Sequence, residues 1–173
     1  CTAPRELPKV SVIITVKNEE RTIAGAIESV LKIDYPYCEV IVVDGGSEDR
    51  TVSIVKSIAK RTGIKIKIIQ KRDSTPGQGR NVGIKSSSAE IVAFIDGDCY
   101  ARKEWLKNAV TLLRQDGVGG VGGLTVSHNQ GNHVSRALLD ALSTFFASAG
   151  STLFARYKRL REVKSIQIGR AHV

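Results

Sequence analysis

Methionine is absent from this chain of 173 residues, tryptophan occurs once, proline four times and cysteine three times. Cys1, Cys38 and Cys99 are odd in number, far apart and in no metal-ligand spacing. That excludes a disulfide framework and a zinc site, and points to a reducing, cytoplasmic compartment. Aromatic residues make up only 5%. Binding of single-stranded nucleic acid draws on stacking aromatics, so this scarcity argues for no nucleic acid among the partners. No apolar run reaches the roughly 18 residues needed to cross a bilayer, and no basic region followed by an apolar stretch opens the chain. Neither a membrane span nor an export signal is expected.

What is present describes a folded domain. Apolar residues at 42% and charged residues at 25% fall within the globular average. The length suits about one domain, expected over 1–167. The last six residues, Ile168 to Val173, read as the in-frame translation of a sequencing adapter and are set aside as an artefact. The chain opens on Cys1 rather than Met and is expected to be a piece of a longer protein. Lys and Arg total 26 against 17 Asp and Glu, a net charge of +9, which favours anionic partners.

The order of elements follows from periodicity. Val10–Val16 is a short β-branched run of the kind buried on both faces of a parallel sheet. Ile23, Ile27, Val30 and Leu31 recur at helical spacing between Glu19 and Ile33, and Tyr35-Pro36 stops that helix. Glu39–Asp44 reads as a second strand. A second helix, capped by Ser47 or Asp49, turns Val52, Val55, Ile58 and Ala59 inward and ends at Gly63. Ile64–Ile69 alternates, with Lys65 and Lys67 on one face, as a strand near a sheet edge would. Thr75-Pro76-Gly77 opens a third helix through about Ser86, and Glu90–Ile95 reads as a fourth buried strand. A helix from about Arg102 to Gln115 follows, with Trp105, Leu106, Ala109, Val110, Leu112 and Leu113 inward. Val118–Val126 is a candidate fifth strand, and Val134 to about Tyr157 a helix, apolar on one side and followed by basic residues. Repeated βα units with short joints imply an α/β fold with a mostly parallel sheet and helices on both faces.

In such sheets ligands bind beyond the carboxyl ends of the strands. The polar residues there are Thr15, Asn18 and Glu19 after the first strand, Asp44 after the second, Arg72 and Asp73 after the third, and Asp96 and Asp98 after the fourth. Asp96 and Asp98 lie two apart at the end of an extended run, so their carboxylates can point the same way, a pairing that suits Mg²⁺ or Mn²⁺. Asp-Gly-Asp is also good turn chemistry. Asp44 can accept hydrogen bonds from a ribose or base, or simply form a turn. Glu19 and Asn18 can likewise begin a helix. Gly77–Asn81 offers a glycine-rich approach and, in Arg80, a planar fork suited to phosphate; a solvated helix face accounts for Arg80 equally well. Ser47 has no His partner and should be a cap, His128 and His133 belong to a polar loop, and Cys38 and Cys99 are most simply small buried hydrophobes.

Four segments, Val12–Glu19, Val42–Asp49, Gly79–Gly83 and Phe94–Asp98, resemble in order and spacing the nucleotide-sugar half of a family 2 glycosyltransferase of the GT-A fold, over about Lys9 to Leu124. The resemblance implies that Thr15, Glu19 and Asp44 hold the nucleoside and that Asp73 and Arg80 complete the pocket around base and phosphates. It also implies that Asp96 faces the ribose or the metal, and that Asp98 binds the Mg²⁺ or Mn²⁺ bridging the diphosphate. The implied reaction transfers a sugar from a nucleotide-diphosphate donor to a glycan, polysaccharide or lipid-linked acceptor, with inversion. The general base of that family is an acidic residue further downstream, expected beyond the end of this chain. Donor binding with poor or no transfer is therefore expected of the 173 residues.

Other readings fit less well. Phe94–Asp98 also suits the nucleophile loop of a haloacid-dehalogenase-like phosphatase, but the acidic residues after Asp98 are Glu104, Asp116, Asp140 and Glu162, all single. The basic end at Arg156, Lys158, Arg159 and Arg161 fits either a core-packing helix with a solvated end or peripheral contact with an anionic membrane. A dehydrogenase is excluded because Thr15–Glu19 contains no glycine where the dinucleotide pyrophosphate would need it.

Overall fold

The computed structural model describes residues 7–122. Their elements are β1 (Val10–Val16), α1 (Ile23–Leu31), β2 (Cys38–Asp44), α2 (Thr51–Thr62), β3 (Ile66–Gln70), α3 (Pro76–Ser86), β4 (Ile91–Asp96) and α4 (Trp105–Leu113). The four strands form one parallel sheet in the order β3-β2-β1-β4. Through Val110 the described residues form one compact unit; from Thr111 the chain belongs to a second, described only as far as Gly122.

Strand alternation sorts the core into two faces. Val10, Val12, Ile14 and Val16 of β1 pack with Ile23, Ile27 and Val30 of α1, Val55 and Ile58 of α2, and Leu106 and Val110 of α4. On the other face Ile13, Ile41 and Val43 meet Val82 of α3 and Phe94 of β4. Helices therefore cover both faces, as the βα pattern required. Gly79 and Gly83 bring α3 close to the sheet: a Cβ on Gly79 would lie 3.2 Å from Thr15 Cγ2, and one on Gly83 only 2.4 Å from Ile13 Cγ2. Thr75 caps this helix in a reciprocal box with Gln78, ahead of Pro76 in its first turn.

Several expectations need correction. Every residue of β4 is half-buried rather than buried, because among the described residues it borders only β1. Helix α1 starts at Ile23, not Glu19, since the Glu19 carbonyl already accepts from Thr22 N and Ile23 N in a turn. Ser47 does not cap α2; its hydroxyl is spent on Asp44. Gly63 does end that helix, with φ 69°. On α4 only Leu106 and Val110 are fully buried, and Trp105, Ala109, Leu112 and Leu113 are half-buried. Residues 118–122 form no strand; the rest of that candidate strand and the helix expected over 134–157 lie outside the described residues. Cys38 and Cys99 are free and half-buried.

At the amino end of the sheet, Glu39 is the centre of a clasp. Its carboxylate accepts from the buried Ser11 hydroxyl, from Ser88 N at 2.8 Å and Ser88 Oγ at 2.9 Å, and pairs with Lys9 Nζ at 3.2 Å. Burial pushes the Glu39 carboxyl up, but these donors outweigh it and bring its pKa to about 2. The clasp ties the α3–β4 connection to β1 and β2, far from the opposite, polar rim.

Candidate functional site

The order β3-β2-β1-β4 means that the chain builds outward from β1 in one direction and then returns to add β4 on its other side. The reversal lies between β1 and β4, the place beyond the strand ends where ligands bind in doubly wound sheets. Thr15 sits at that seam, directly paired with Asp96. The loop Lys17–Thr22 leaves from β1, and Gly97 and Asp98 leave from β4. The two loops touch: Gly97 N donates to Thr15 O at 3.3 Å, and a Cβ on Gly97 would lie 2.7 Å from Val16 Cγ1 and 3.4 Å from Glu19 Cγ. Only glycine fits there.

Asp96 shares the register of Thr15 and so projects toward α3, where Arg80 Nη2 donates to its Oδ1 at 2.7 Å. The Arg80 side chain is 13% exposed, and its Nε is buried with no hydrogen-bond partner among the described residues. A buried guanidinium N–H without a partner is costly in a folded protein. It is the one side-chain polar atom of this kind among the described residues, and its guanidinium is bonded to Asp96 at the end of β4. The sequence signal for it was the Arg following Gly77 and Gly79; its burial was not foreseeable, since it depends on the glycines letting α3 approach.

Asp98 is exposed, and Cys99 Sγ approaches its Oδ1 at 3.4 Å. Burial and the neighbouring Asp98 charge push the Cys99 thiol up to about 12, which disfavours its thiolate. Among the described residues the second oxygen of Asp96 and of Asp98 accepts no hydrogen bond. Open, hard carboxylate oxygens fit a small divalent cation. Among the described residues no group of three His, Cys, Asp or Glu converges closely enough to hold one alone; Mg²⁺ is generally held by one or two carboxylates plus a substrate's phosphates.

Asp44 reaches the same rim from the other side of the sheet. It pairs with Val16, one residue out of phase with the Thr15–Asp96 pair, so its side chain leaves on the opposite face and two strand spacings, roughly 10 Å, away. It is fully buried, accepting at Oδ1 from Ser47 N (3.1 Å) and Ser47 Oγ (2.5 Å) and at Oδ2 from Gly46 N (3.3 Å). Its carboxylate holds the turn that follows β2. Glu19 likewise accepts from Thr22 Oγ1 at 2.6 Å, at the start of α1. Asp73 is exposed in the β3–α3 loop with φ 54°. That loop lies against the β2 turn, where a Cβ on Gly46 would meet Arg72 Cα at 3.3 Å.

Asn18, Asp49 and Thr51 carry more of the site's architecture than their sequence pattern suggested. Asn18 is left-handed (φ 55°), its N–H donates to Ser47 Oγ at 2.9 Å, and its Oδ1 accepts from Glu48 N at 2.9 Å. Glu19 N donates to Thr51 Oγ1 at 2.8 Å and Glu20 N to Asp49 Oδ2 at 3.0 Å, while Asp49 Oδ1 accepts from Thr51 N at 2.9 Å. The loops after β1 and β2 are thus zipped into one wall. An Asx turn at Asp49 was legible in principle; its partner across the sheet was not.

The family model described as glycosyl transferase family 2 matches residues 11–169. The chain belongs to glycosyl transferase family 2. Among relatives in the family is the poly(ribitol-phosphate) beta-N-acetylglucosaminyltransferase TarS of Staphylococcus aureus, 36% identical over an alignment of 126 residues that covers 66% of this chain and 22% of TarS. The glycosyltransferase AglE of Haloferax volcanii is 39% identical over 119 residues, 68% of this chain and 39% of AglE. The chain thus spans less than half of these relatives. The crystal structure of TarS 1–349 with UDP-GlcNAc superposes with a TM-score of 0.55 at 38% identity, covering 61% of this chain and 31% of that one. The Pyrobaculum calidifontis mannosyltransferase PcManGT with GDP-Man and Mn²⁺ gives 0.62 at 26% identity, over 71% of this chain and 36% of that one. The fold is the GT-A type expected from the motifs, and membership in a transferase family removes the phosphatase alternative. Among the described residues no helix is long and apolar enough to cross a membrane.

Proposed function

We propose that the crevice between β1 and β4 binds the nucleoside diphosphate of a sugar donor, and that the whole protein transfers that sugar to a glycan, polysaccharide or lipid-linked acceptor. The observation that carries this reading is the buried, unpartnered Nε of Arg80 beside an Asp96 already paired to the same guanidinium. A donor held there lacks only an acceptor, and a phosphate or ribose oxygen of a nucleotide supplies one. Relatives solved with UDP-GlcNAc and with GDP-Man and Mn²⁺ support the ligand class.

In this reading Thr15 and Glu19 line the nucleoside side of the crevice. Asp44 holds the Gly45–Ser47 turn on the β2 side of it, and Asp73 stands beyond that turn in the β3–α3 loop. Asp98, with Asp96, holds Mg²⁺ or Mn²⁺. When bound, the cation neutralises charge growing on the departing diphosphate. Arg80 adds a fixed positive group on the same side, already oriented by Asp96 and so needing little reorganisation. An acceptor hydroxyl arriving from the face opposite the diphosphate gives inversion. We assign no general base within residues 7–122. A cytoplasmic site of action, with the basic segment after residue 155 touching an anionic membrane face, suits a lipid-linked acceptor.

Isothermal titration with UDP and with GDP, each with and without Mn²⁺, tests the reading. Metal-dependent heat with one nucleotide, lost on Asp98→Ala, is the expected result. No metal-dependent heat with either nucleotide overturns it.

A further inference from the structure

Gly25 sits in the third position of α1, where glycine is a much poorer helix former than alanine. What it permits is close approach: a Cβ there would lie 2.5 Å from Cε1 and 2.9 Å from the hydroxyl oxygen of Tyr100. The Tyr100 ring lies directly on the helix backbone. Four residues on, and therefore on the same face of α1, Ser29 Oγ accepts from Ala101 N at 2.9 Å while donating to Ala26 O at 2.7 Å. Just past the end of α1, Asp34 N donates to Lys103 O at 2.8 Å. The segment 100–103, which follows Asp98 by two residues, is thus fastened at two points to α1 and at a third to the turn after it. On its other side, Gly97 is fastened to β1 through Thr15 O.

We infer that this face of α1, through Gly25 and Ser29, is a positioning surface for the loop that carries Asp98. Asp98 itself is exposed and makes no bond to another element among the described residues that would set its direction. Its carboxylate is aimed by its flanks: Gly97 anchored on one side, Tyr100 and Ala101 on the other. Preordering the loop removes conformational entropy that a cation would otherwise have to freeze on binding. The helix therefore tolerates a poor helix former at Gly25 because the gain is made at the metal-binding loop rather than in the helix, a local departure from propensity that tends to mark functional regions. Gly25 and Ser29 touch neither nucleotide nor cation in this scheme; they act through the loop.

The inference rests on the nucleotide-sugar reading, and the experiment separates the two. Mn²⁺ affinity is read by electron paramagnetic resonance with nucleotide present, and nucleotide affinity is read separately in EDTA, for the 173-residue chain and its variants. Gly25→Ala, which drives a methyl into the Tyr100 ring, weakens Mn²⁺ binding by about tenfold or more, and Ser29→Ala by about fivefold, the worth of one hydrogen bond. Metal-free nucleotide affinity stays within about twofold of wild type. Ser29→Thr, which keeps the hydroxyl, keeps the metal affinity near that of the wild type. Thermal unfolding of each variant controls for folding. Equal losses in the metal-dependent and metal-free measurements, or no loss in either, refute the positioning role alone. A wild-type chain that binds neither nucleotide in a metal-dependent way refutes the nucleotide-sugar reading and this inference with it.

Discussion

Replacing Gly83 by alanine is the sharpest test of how α3 reaches the sheet. The new Cβ would stand 2.4 Å from Ile13 Cγ2 and 3.2 Å from both Cγ1 and Cδ1. Ordinary carbon–carbon contact is about 3.5–4.0 Å, so the shortfall exceeds about 1 Å. Ile13 cannot retreat: it is fully buried, β-branched and stiff at χ1, and its strand is paired on both sides. Relief must come from lifting α3, which loosens Val82 against Ile13, Ile41 and Val43. Overpacking of this kind costs about 1–3 kcal/mol, partly offset by about 1 kcal/mol from the better helix propensity of alanine. With a shortfall above about 1 Å the overpacking cost falls in the upper part of that range, about 2–3 kcal/mol, so a net loss of about 1–2 kcal/mol is expected, a fall in Tm of roughly 2–8 °C for a chain of this size. Gly77→Ala is the internal control, since nothing lies within 4 Å of its Cβ position; it should be neutral or slightly stabilising. The lifted helix also carries Arg80 away from Asp96, so nucleotide binding should weaken in Gly83→Ala and not in Gly77→Ala. Calorimetric melting of both variants decides the matter: a Gly83→Ala chain as stable as wild type refutes the close-approach argument.

Three further outcomes are expected. Asp96→Asn leaves the 13%-exposed Arg80 guanidinium without its charge partner, and urea unfolding should show a loss of about 1–3 kcal/mol, discounted from the fully buried case because Asp96 is 31% exposed. Glu39, with its pKa lowered from 4.5 to about 2, contributes stability that is complete above pH 4.5 and disappears as pH falls through about 2. Unfolding free energy should therefore drop by about 1–3 kcal/mol across that window, and Glu39→Gln should flatten this part of the profile. Asn18→Ala should destabilise by about 1–2 kcal/mol through loss of the Glu48 N bond and a left-handed backbone that alanine adopts poorly. Asn18→Gly, which relieves the backbone but not the bond, should recover part of it on the same melting assay.

The elements themselves were legible because each carries a local signal: β-branched runs for β1 and β2, 3.6-residue spacing in α1 and α2, Thr75-Pro76 opening α3, and Gly63 closing α2 in a left-handed turn. The boundaries drifted where a nonlocal partner decided them. Glu19 seemed to begin a helix, yet its N–H belongs to Thr51, 32 residues on. Ser47 looked like a cap until Asp44 and Asn18 claimed its hydroxyl. The half-burial of β4 depends on its place in the sheet, which no window of sequence contains.

For the site, residue types and their order along the chain were enough to bring Thr15, Asp44, Arg80, Asp96 and Asp98 to one rim and to suggest a family, because the ends of parallel strands share an edge. Tertiary structure alone decided how they divide. Pleat and register put Asp96 with Thr15 and Arg80 while sending Asp44 to the opposite face. Glycines at 79 and 83 let α3 settle deeply enough to bury Arg80 Nε without a partner. Such facts hang on distances between segments tens of residues apart, and they arise only when the strands choose their neighbours.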